Sequence, residues 1–324
     1  MVRLSAILWQ NQPVFRQVFQ FSDRNLLRWY PGHMEKGMKQ MQQKLKLVDC
    51  IVEVHDARIP ISGRNEKFRY TVSGLRPHIL VLNKMDLADM SQKDTVSGYL
   101  TKQGMSEVLY TNCKDLNCHG LKKIVPTINR LICESERYNR SENKEFTVMV
   151  IGVPNVGKSS VINAIRNKYL RKSKAAAVGA IAGITRSVLT KIKVCQDPLI
   201  YVLDTPGILD PKVEDIETGF KLALCSSMND HQVGIRHIAD YLLYFLNRRG
   251  DFEYVRHLGL SSPLDNVEEL LVESAVNMGK TLKRKNVEGG YTMIPDIETA
   301  AYHFVKLFRT GALGKFILDD VRIN

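Results

Sequence analysis

Residues Gly152-Val-Pro-Asn-Val-Gly157-Lys158-Ser159 have the types and spacing that hold a chain of phosphates. The glycines permit a tight turn whose backbone N–H groups face inward, the lysine ammonium reaches the outer phosphate oxygens, and the serine hydroxyl can ligate Mg2+. On this reading Asn155, Val156, Gly157, Lys158, Ser159 and Ser160 all border a bound nucleotide. A second group, Asp204-Thr-Pro-Gly207, suits the same ligand: Asp204 can hold Mg2+ through water, and the Gly207 amide can sense the terminal phosphate. Thr185, in Gly183-Ile-Thr185-Arg186, lies between the two groups, where a switch loop supplying a further Mg2+ and phosphate ligand belongs.

Asn83-Lys84-Met85-Asp86 selects the base. The Asp86 carboxylate can accept two hydrogen bonds from the N1 and N2 edge of guanine, a pairing adenine cannot offer. Lys84 can lie across the base, and Asn83 can tie this loop to the base and to the phosphate loop. Asn112-Cys113-Lys114 occupies the place of a Ser-Ala-Lys loop over guanine, departing from that pattern at two of three positions. The expected ligand is therefore GTP or GDP with Mg2+.

Such residues need stiff elements behind them. The segments 50–55, 78–82, 108–110, 146–151 and 199–203 are short and rich in aliphatic and β-branched residues, as buried parallel strands are. Four of them run directly into a motif, and Ser159 opens a helix. The order is unusual, because the guanine-reading loops come before the phosphate loop. The expected fold is thus α/β, a circularly permuted P-loop GTP-binding domain over residues 28–212. A smaller all-α domain is expected over 213–324. There Ile235, Ile238, Ala239, Leu242, Phe245 and Leu246 share a helical stripe, as do Ile297, Ala300, Ala301, Phe304, Val305 and Phe308, with Asp296 as N-cap and Gly311 past the end.

The chain has 324 residues and a net charge of +12, which favours a polyanionic partner such as RNA or an anionic membrane surface. Two basic clusters stand out: Arg166, Lys168, Arg171, Lys172 and Lys174, and Lys280, Lys283, Arg284 and Lys285. Six cysteines without a C-x-x-C pair exclude a zinc ribbon and make reduced thiols the default. No apolar run approaches the length of a spanning helix. Residues 1–22 lack acidic side chains, carry Arg3 and Arg16, and place Leu4, Ile7 and Leu8 on one helical face. This is the pattern of a mitochondrial targeting segment, expected over residues 1–27, although Pro13 ends the helix early. A cytoplasmic protein with a basic extension is the alternative.

Trp29-Tyr-Pro-Gly-His33-Met, Asp56-Ala-Arg58-Ile-Pro60, the permuted motifs and Gly311-x-x-Gly314 together resemble the ribosome biogenesis GTPase A family, and within it the mitochondrial members. The resemblance runs from about Arg28 to the C-terminus. It implies a matrix GTPase, monomeric and with possible peripheral contact to the inner membrane, that assists large ribosomal subunit assembly and touches rRNA. It also implies a role for His33. Ile208 stands where Ras-like enzymes carry a water-orienting Gln, and a hydrocarbon cannot orient water. In the family His33 is the proposed substitute; a histidine that only packs or caps a turn is the alternative. Asn155 matches the asparagine that helps potassium-activated GTPases hold K+, or else simply fills a turn. A nucleotide-gated RNA-binding switch with negligible hydrolysis is the rival to the enzyme. A GTPase of tRNA modification is disfavoured by the permuted order.

Overall fold

The computed structural model describes residues 15–21, 32–64, 76–136, 142–171, 191–208, 215–285 and 289–321. These form two compact units: one comprises Arg24–Gln232 with Lys315–Asn324, the other Met1–Asp23 with Val233–Gly314. Sequence reasoning set the division after residue 212. It falls later because α5 (Ile216–Leu224) and the turn after it belong to the first unit, where Ser226 bonds the phosphate loop.

The first unit opens with α1 (Gly32–Lys44). A six-stranded sheet follows, built from β1 (Cys50–Asp56), β2 (His78–Asn83), β3 (Val108–Tyr110), β4 (Glu145–Ile151), β5 (Lys191–Cys195) and β6 (Leu199–Asp204). Its spatial order is β3-β2-β1-β4-β6-β5. Every neighbouring pair is parallel except β5 with β6. Helices α2 (Lys93–Lys102), α3 (His119–Glu134) and α4 (Lys158–Leu170) occur in the same unit. β1 is buried along its whole length, and its polar members are paired there, Glu53 with His55 and Asp56 with Arg58. Because β1, β2, β3, β4 and β6 all point the same way, the residues after their carboxyl ends gather along one edge, the place where open α/β sheets bind ligands. The permutation leaves this convergence intact.

The chain returns to this unit at its end. Ile317 packs into the cluster of Leu80, Leu82, Val96, Leu100 and Tyr110. Leu318 N–H donates to the Arg58 carbonyl at 2.8 Å, and Phe316 N–H to that of Leu87 at 3.2 Å. The Asp319 carboxylate accepts from the Ile61 and Ser62 amides at 2.7 and 3.0 Å.

The second unit carries α7 (Ile235–Arg248), α8 (Glu253–Leu258), α9 (Val267–Asn277) and α10 (Ile297–Thr310), after the short α6 (Asp230–Val233). Both stripes read from the sequence are buried on α7 and α10, except that Ile297 at the start of α10 is half-buried. Asp296 caps α10 by accepting from the Thr299 amide, and Gly311 closes it with φ +84°. The unit is not all-α. Between α9 and α10 a hairpin pairs β7 (Thr281–Lys285) with β8 (Tyr291–Pro295). Residues 15–21, inside the expected leader, lie against α7: Phe19 is 7% exposed and meets Tyr241 and Tyr244. Burying such a ring contributes on the order of 2 kcal/mol.

Candidate guanine-nucleotide site

At the phosphate end, β4 enters the loop and α4 leaves it. Asn155 takes a left-handed φ of +58° and Gly157 one of +97°. A Cβ on Gly157 would stand 2.2 Å from Asn83 Nδ2, so glycine alone lets Asn83 reach the loop. Lys158 is buried and spends its ammonium on the Gly152 and Val153 carbonyls, at 3.1 and 2.9 Å. Burial lowers its pKa to about 8, against the opposing pull of Asp204. Burial also raises the Asp204 carboxyl, despite nearby Lys158 and Ser159. Asp204 Oδ2 accepts from the Ser159 hydroxyl at 3.3 Å, whereas Oδ1 is buried with no hydrogen-bond partner among the described residues. A dehydrated carboxylate oxygen beside a hydroxyl, next to a lysine held below its usual pKa, fits a divalent cation and a polyphosphate.

The base end is already wired. Asn83 Nδ2 donates to the Val156 carbonyl at 2.9 Å, while its Oδ1 accepts from Thr111 Oγ1 at 3.1 Å and from the Cys113 thiol at 3.2 Å. The loop is thus tied to the phosphate loop, as its sequence implied. Burial pushes the Cys113 thiol up to about 12, with Cys118 and Asp86 adding to it, so it acts as a neutral donor. Lys114 Nζ pairs with Asp86 Oδ2 at 3.0 Å, and its backbone amide bonds Asn112 Oδ1. Asn112, Cys113 and Lys114 therefore meet the guanine-reading loop despite their divergence from Ser-Ala-Lys. Lys84, at φ +59°, reaches Asp56 Oδ2 at 2.9 Å.

A family profile described as 50S ribosome-binding GTPase matches residues 147–277. The chain is 54% identical to Mitochondrial GTPase 1 of Aedes aegypti, across 94% of this chain and 98% of that protein. It is 52% identical to Mitochondrial ribosome-associated GTPase 1 of Xenopus tropicalis, again across 94% and 98%. The chain belongs to the mitochondrial ribosome-associated GTPase 1 family. It is a GTPase. Its fold is that of the GNP-bound YlqF from T. maritima, which superposes with a TM-score of 0.55 at 23% identity over 89% of this chain and 99% of that one.

In this GTPase the helix that carries His33 lies against the segment after β6. A Cβ on Gly37 would come within 2.8 Å of Pro206 Cγ, so α1 sits directly on Asp204-Thr-Pro-Gly207. His33 is one helical turn before Gly37. Ile208 is fully buried, and its N–H donates to the Gly152 carbonyl at 3.2 Å; it contributes packing at the position where Ras-like enzymes activate water. Asn155 Nδ2 donates to the Ser226 carbonyl at 2.8 Å, which fixes the orientation of its amide. Thr185, Gly183 and Arg186 lie outside the described residues, as do Lys172, Lys174 and the leader residues before Phe15.

Sequence reasoning missed one pair. Asp56 was quoted for its family motif without a role, and Arg58 likewise. Burial pushes the Asp56 carboxyl up, but Arg58 and Lys84 overcome this and hold it well below the usual carboxylate range. Arg58 grips it with two bonds, Nε at 2.9 Å and Nη2 at 2.8 Å. The pair thereby fixes where the Lys84 ammonium rests. An available signal was the charge itself: Asp and Arg two residues apart at the end of a buried strand must satisfy one another.

Proposed function

We propose that this GTPase acts in the mitochondrial matrix on the assembly of the large ribosomal subunit, binding the maturing particle in its GTP form and leaving after hydrolysis. What carries the reading is the likeness, over nearly the full length, to a frog protein named mitochondrial ribosome-associated GTPase 1. The hairpin β7–β8 supports it. All five residues of β7 are exposed, Lys280, Lys283, Arg284 and Lys285 crowd one ribbon, and Lys283 Nζ lies 4.4 Å from the centre of the Tyr291 ring. A self-paired ribbon of cations and an exposed aromatic ring suits an RNA backbone and its bases. Net charge of the same sign suits peripheral contact with the inner membrane, and among the described residues no helix is long and apolar enough to cross one.

Mechanistically, the protein positions its substrate more than it activates it. Asn83, Lys84 and Asp86 read the base, helped by the loop Asn112, Cys113 and Lys114; the residues from Asn155 to Ser160 enclose the phosphates. Ser159, Asp204 and Thr185 would hold Mg2+, which when bound offsets charge on the phosphate oxygens. Asn155 would help hold K+, adding positive charge where other GTPases use an arginine. The Gly207 amide reports the terminal phosphate, and His33 orients the attacking water in place of the buried Ile208. Turnover by the free monomer is then slow, and the particle accelerates it. A switch with negligible hydrolysis fits poorly with membership of a GTPase family.

The direct test is sedimentation of the purified protein with mitochondrial large subunits in the presence of a non-hydrolysable GTP analogue or of GDP. Co-sedimentation with the analogue and its loss with GDP are expected. Equal recovery in both, or none in either, refutes the proposal.

A further inference from the structure

The leader expected from composition and the packing of the chain disagree over one short stretch. Sequence reasoning assigns residues 1–27 to targeting, yet Phe15 to Phe21 are an integral part of the helical unit. Arg16 holds two carboxylates together: its Nη2 lies 2.7 Å from Asp240 Oδ1, its Nε 3.4 Å from Asp265 Oδ1, and its backbone N–H donates to Asp265 Oδ2 at 3.1 Å. Tyr244 Oη donates to the Gln17 carbonyl at 3.2 Å. Three rings then descend onto the unit in sequence. Phe15 meets Phe252 at 5.4 Å between centroids, Phe19 meets Tyr241 edge-on at 5.1 Å and Tyr244 at 5.5 Å, and Phe21 meets His237 at 5.2 Å. Val18, between them, points outward at 67% exposed. Phe15, Arg16, Phe19 and Phe21 face the unit, while Gln17, Val18 and Gln20 are exposed, so the segment is a strap held along one side.

Removing this strap has three consequences. Asp240 and Asp265 lose the cation between them and repel. Tyr241 and Tyr244, now 1% and 2% exposed, lose the ring that covers them. Tyr244 Oη loses its acceptor. A presequence that ended at residue 27 would thus strip one of the two chain segments from which this unit is made. Import itself does not conflict with the packing, because a precursor crosses membranes unfolded and Arg16 can serve both stages.

We infer that Phe15–Phe21 is retained in the mature protein as a structural strap of the helical unit, and that any presequence is cut from this chain before Phe15. The inference rests on the mitochondrial reading only for the existence of a cut. The folded unit imposes the limit, because a chain cut beyond Phe21 lacks the Arg16 ion pairs and the Phe19 seal.

Two measurements test it. The full chain with a C-terminal tag is expressed in cultured cells, recovered from purified mitochondria, and its N-terminal peptide identified by mass spectrometry. A first residue at or before Phe15 is expected; one at or after Ser22 overturns the inference. Recovery only from the cytosol with Met1 retained refutes the mitochondrial reading while leaving the strap in place. The second arm is independent of localisation. Purified chains beginning at Phe15 and at Ser22 are compared by thermal unfolding, together with full-length Arg16→Ala and Phe19→Ala. The chain starting at Ser22 should unfold lower by about 5 °C or more or fail to fold, and each single substitution should shift the midpoint by about 2 °C or more. Midpoints that coincide in all four overturn it.

Discussion

The two ends of the nucleotide site are prepared in opposite ways. At the base end each polar group already has a partner: Asn83 bonds the phosphate loop, Thr111 and Cys113, Lys84 rests on Asp56, and Asp86 pairs with Lys114. At the phosphate end the charges wait. Among the described residues Lys158 bonds the carbonyls of its own loop, and Asp204 Oδ1 is buried without a hydrogen-bond partner. The base end is therefore preorganised and exchanges one ion pair for another, whereas the phosphate end is incomplete until its ligand arrives. Binding energy should come chiefly from the phosphates and selectivity from the base loop.

The sharpest way to break this contrast is Lys158→Ala. Loss of this buried ammonium should weaken GTP binding and hydrolysis by about a hundredfold or more, read by fluorescent-nucleotide titration and single-turnover hydrolysis. At the other end, Asp86→Asn should weaken guanine binding by about 2 kcal/mol, the value of hydrogen bonds to a charged acceptor, and shift preference toward xanthine, whose O2 accepts from an amide. Competition between GTP and XTP checks it, and an unchanged ratio would contradict the assignment.

A pH titration separates the ends without mutation. The Lys158 pKa in the ligand-free protein is lowered to about 8, so the ammonium is complete below that value and is lost above it. Phosphates bind the ammonium form. GDP affinity should be flat from about pH 7 to 8, above the second phosphate pKa, and fall by about tenfold per unit above that, until the base itself begins to titrate. The smallest effect concerns the missed pair. Asp56→Asn should raise the Kd for GDP only about fivefold, by releasing Lys84, and leave kcat at saturation unchanged. In a double-mutant cycle with Lys84→Met the losses should be less than additive.

The same contrast explains what was legible in the sequence. Phosphate and guanine motifs are local: a glycine turn between a buried strand and a helix is visible within a dozen residues, and the strands read as apolar runs because both faces are covered. Tertiary partnerships were not visible. Nothing adjacent to Asp56 announces Lys84, and nothing in 315–321 announces that Ile317 returns to the cluster under the base loop. The β7–β8 hairpin reads in the sequence as a basic cluster between helices, because its lysines hide the alternation, although Gly289-Gly290 before Tyr-Thr-Met-Ile is a fair hairpin signal. At the N-terminus, composition reads as a leader, and nothing near Arg16 announces its ion pairs with Asp240 and Asp265, far along the chain.

We propose that Asp204–Gly207, followed by the buried Ile208, depends on α1 for its chemistry. Single-turnover GTP hydrolysis in K+ buffer, with and without mitochondrial large subunits, tests it on the wild-type chain and on His33→Ala. Slow hydrolysis by the free protein, acceleration by the particle, and loss of about a hundredfold or more of the accelerated rate in His33→Ala with GTP affinity retained are expected. A particle that accelerates neither protein, or both alike, would contradict it.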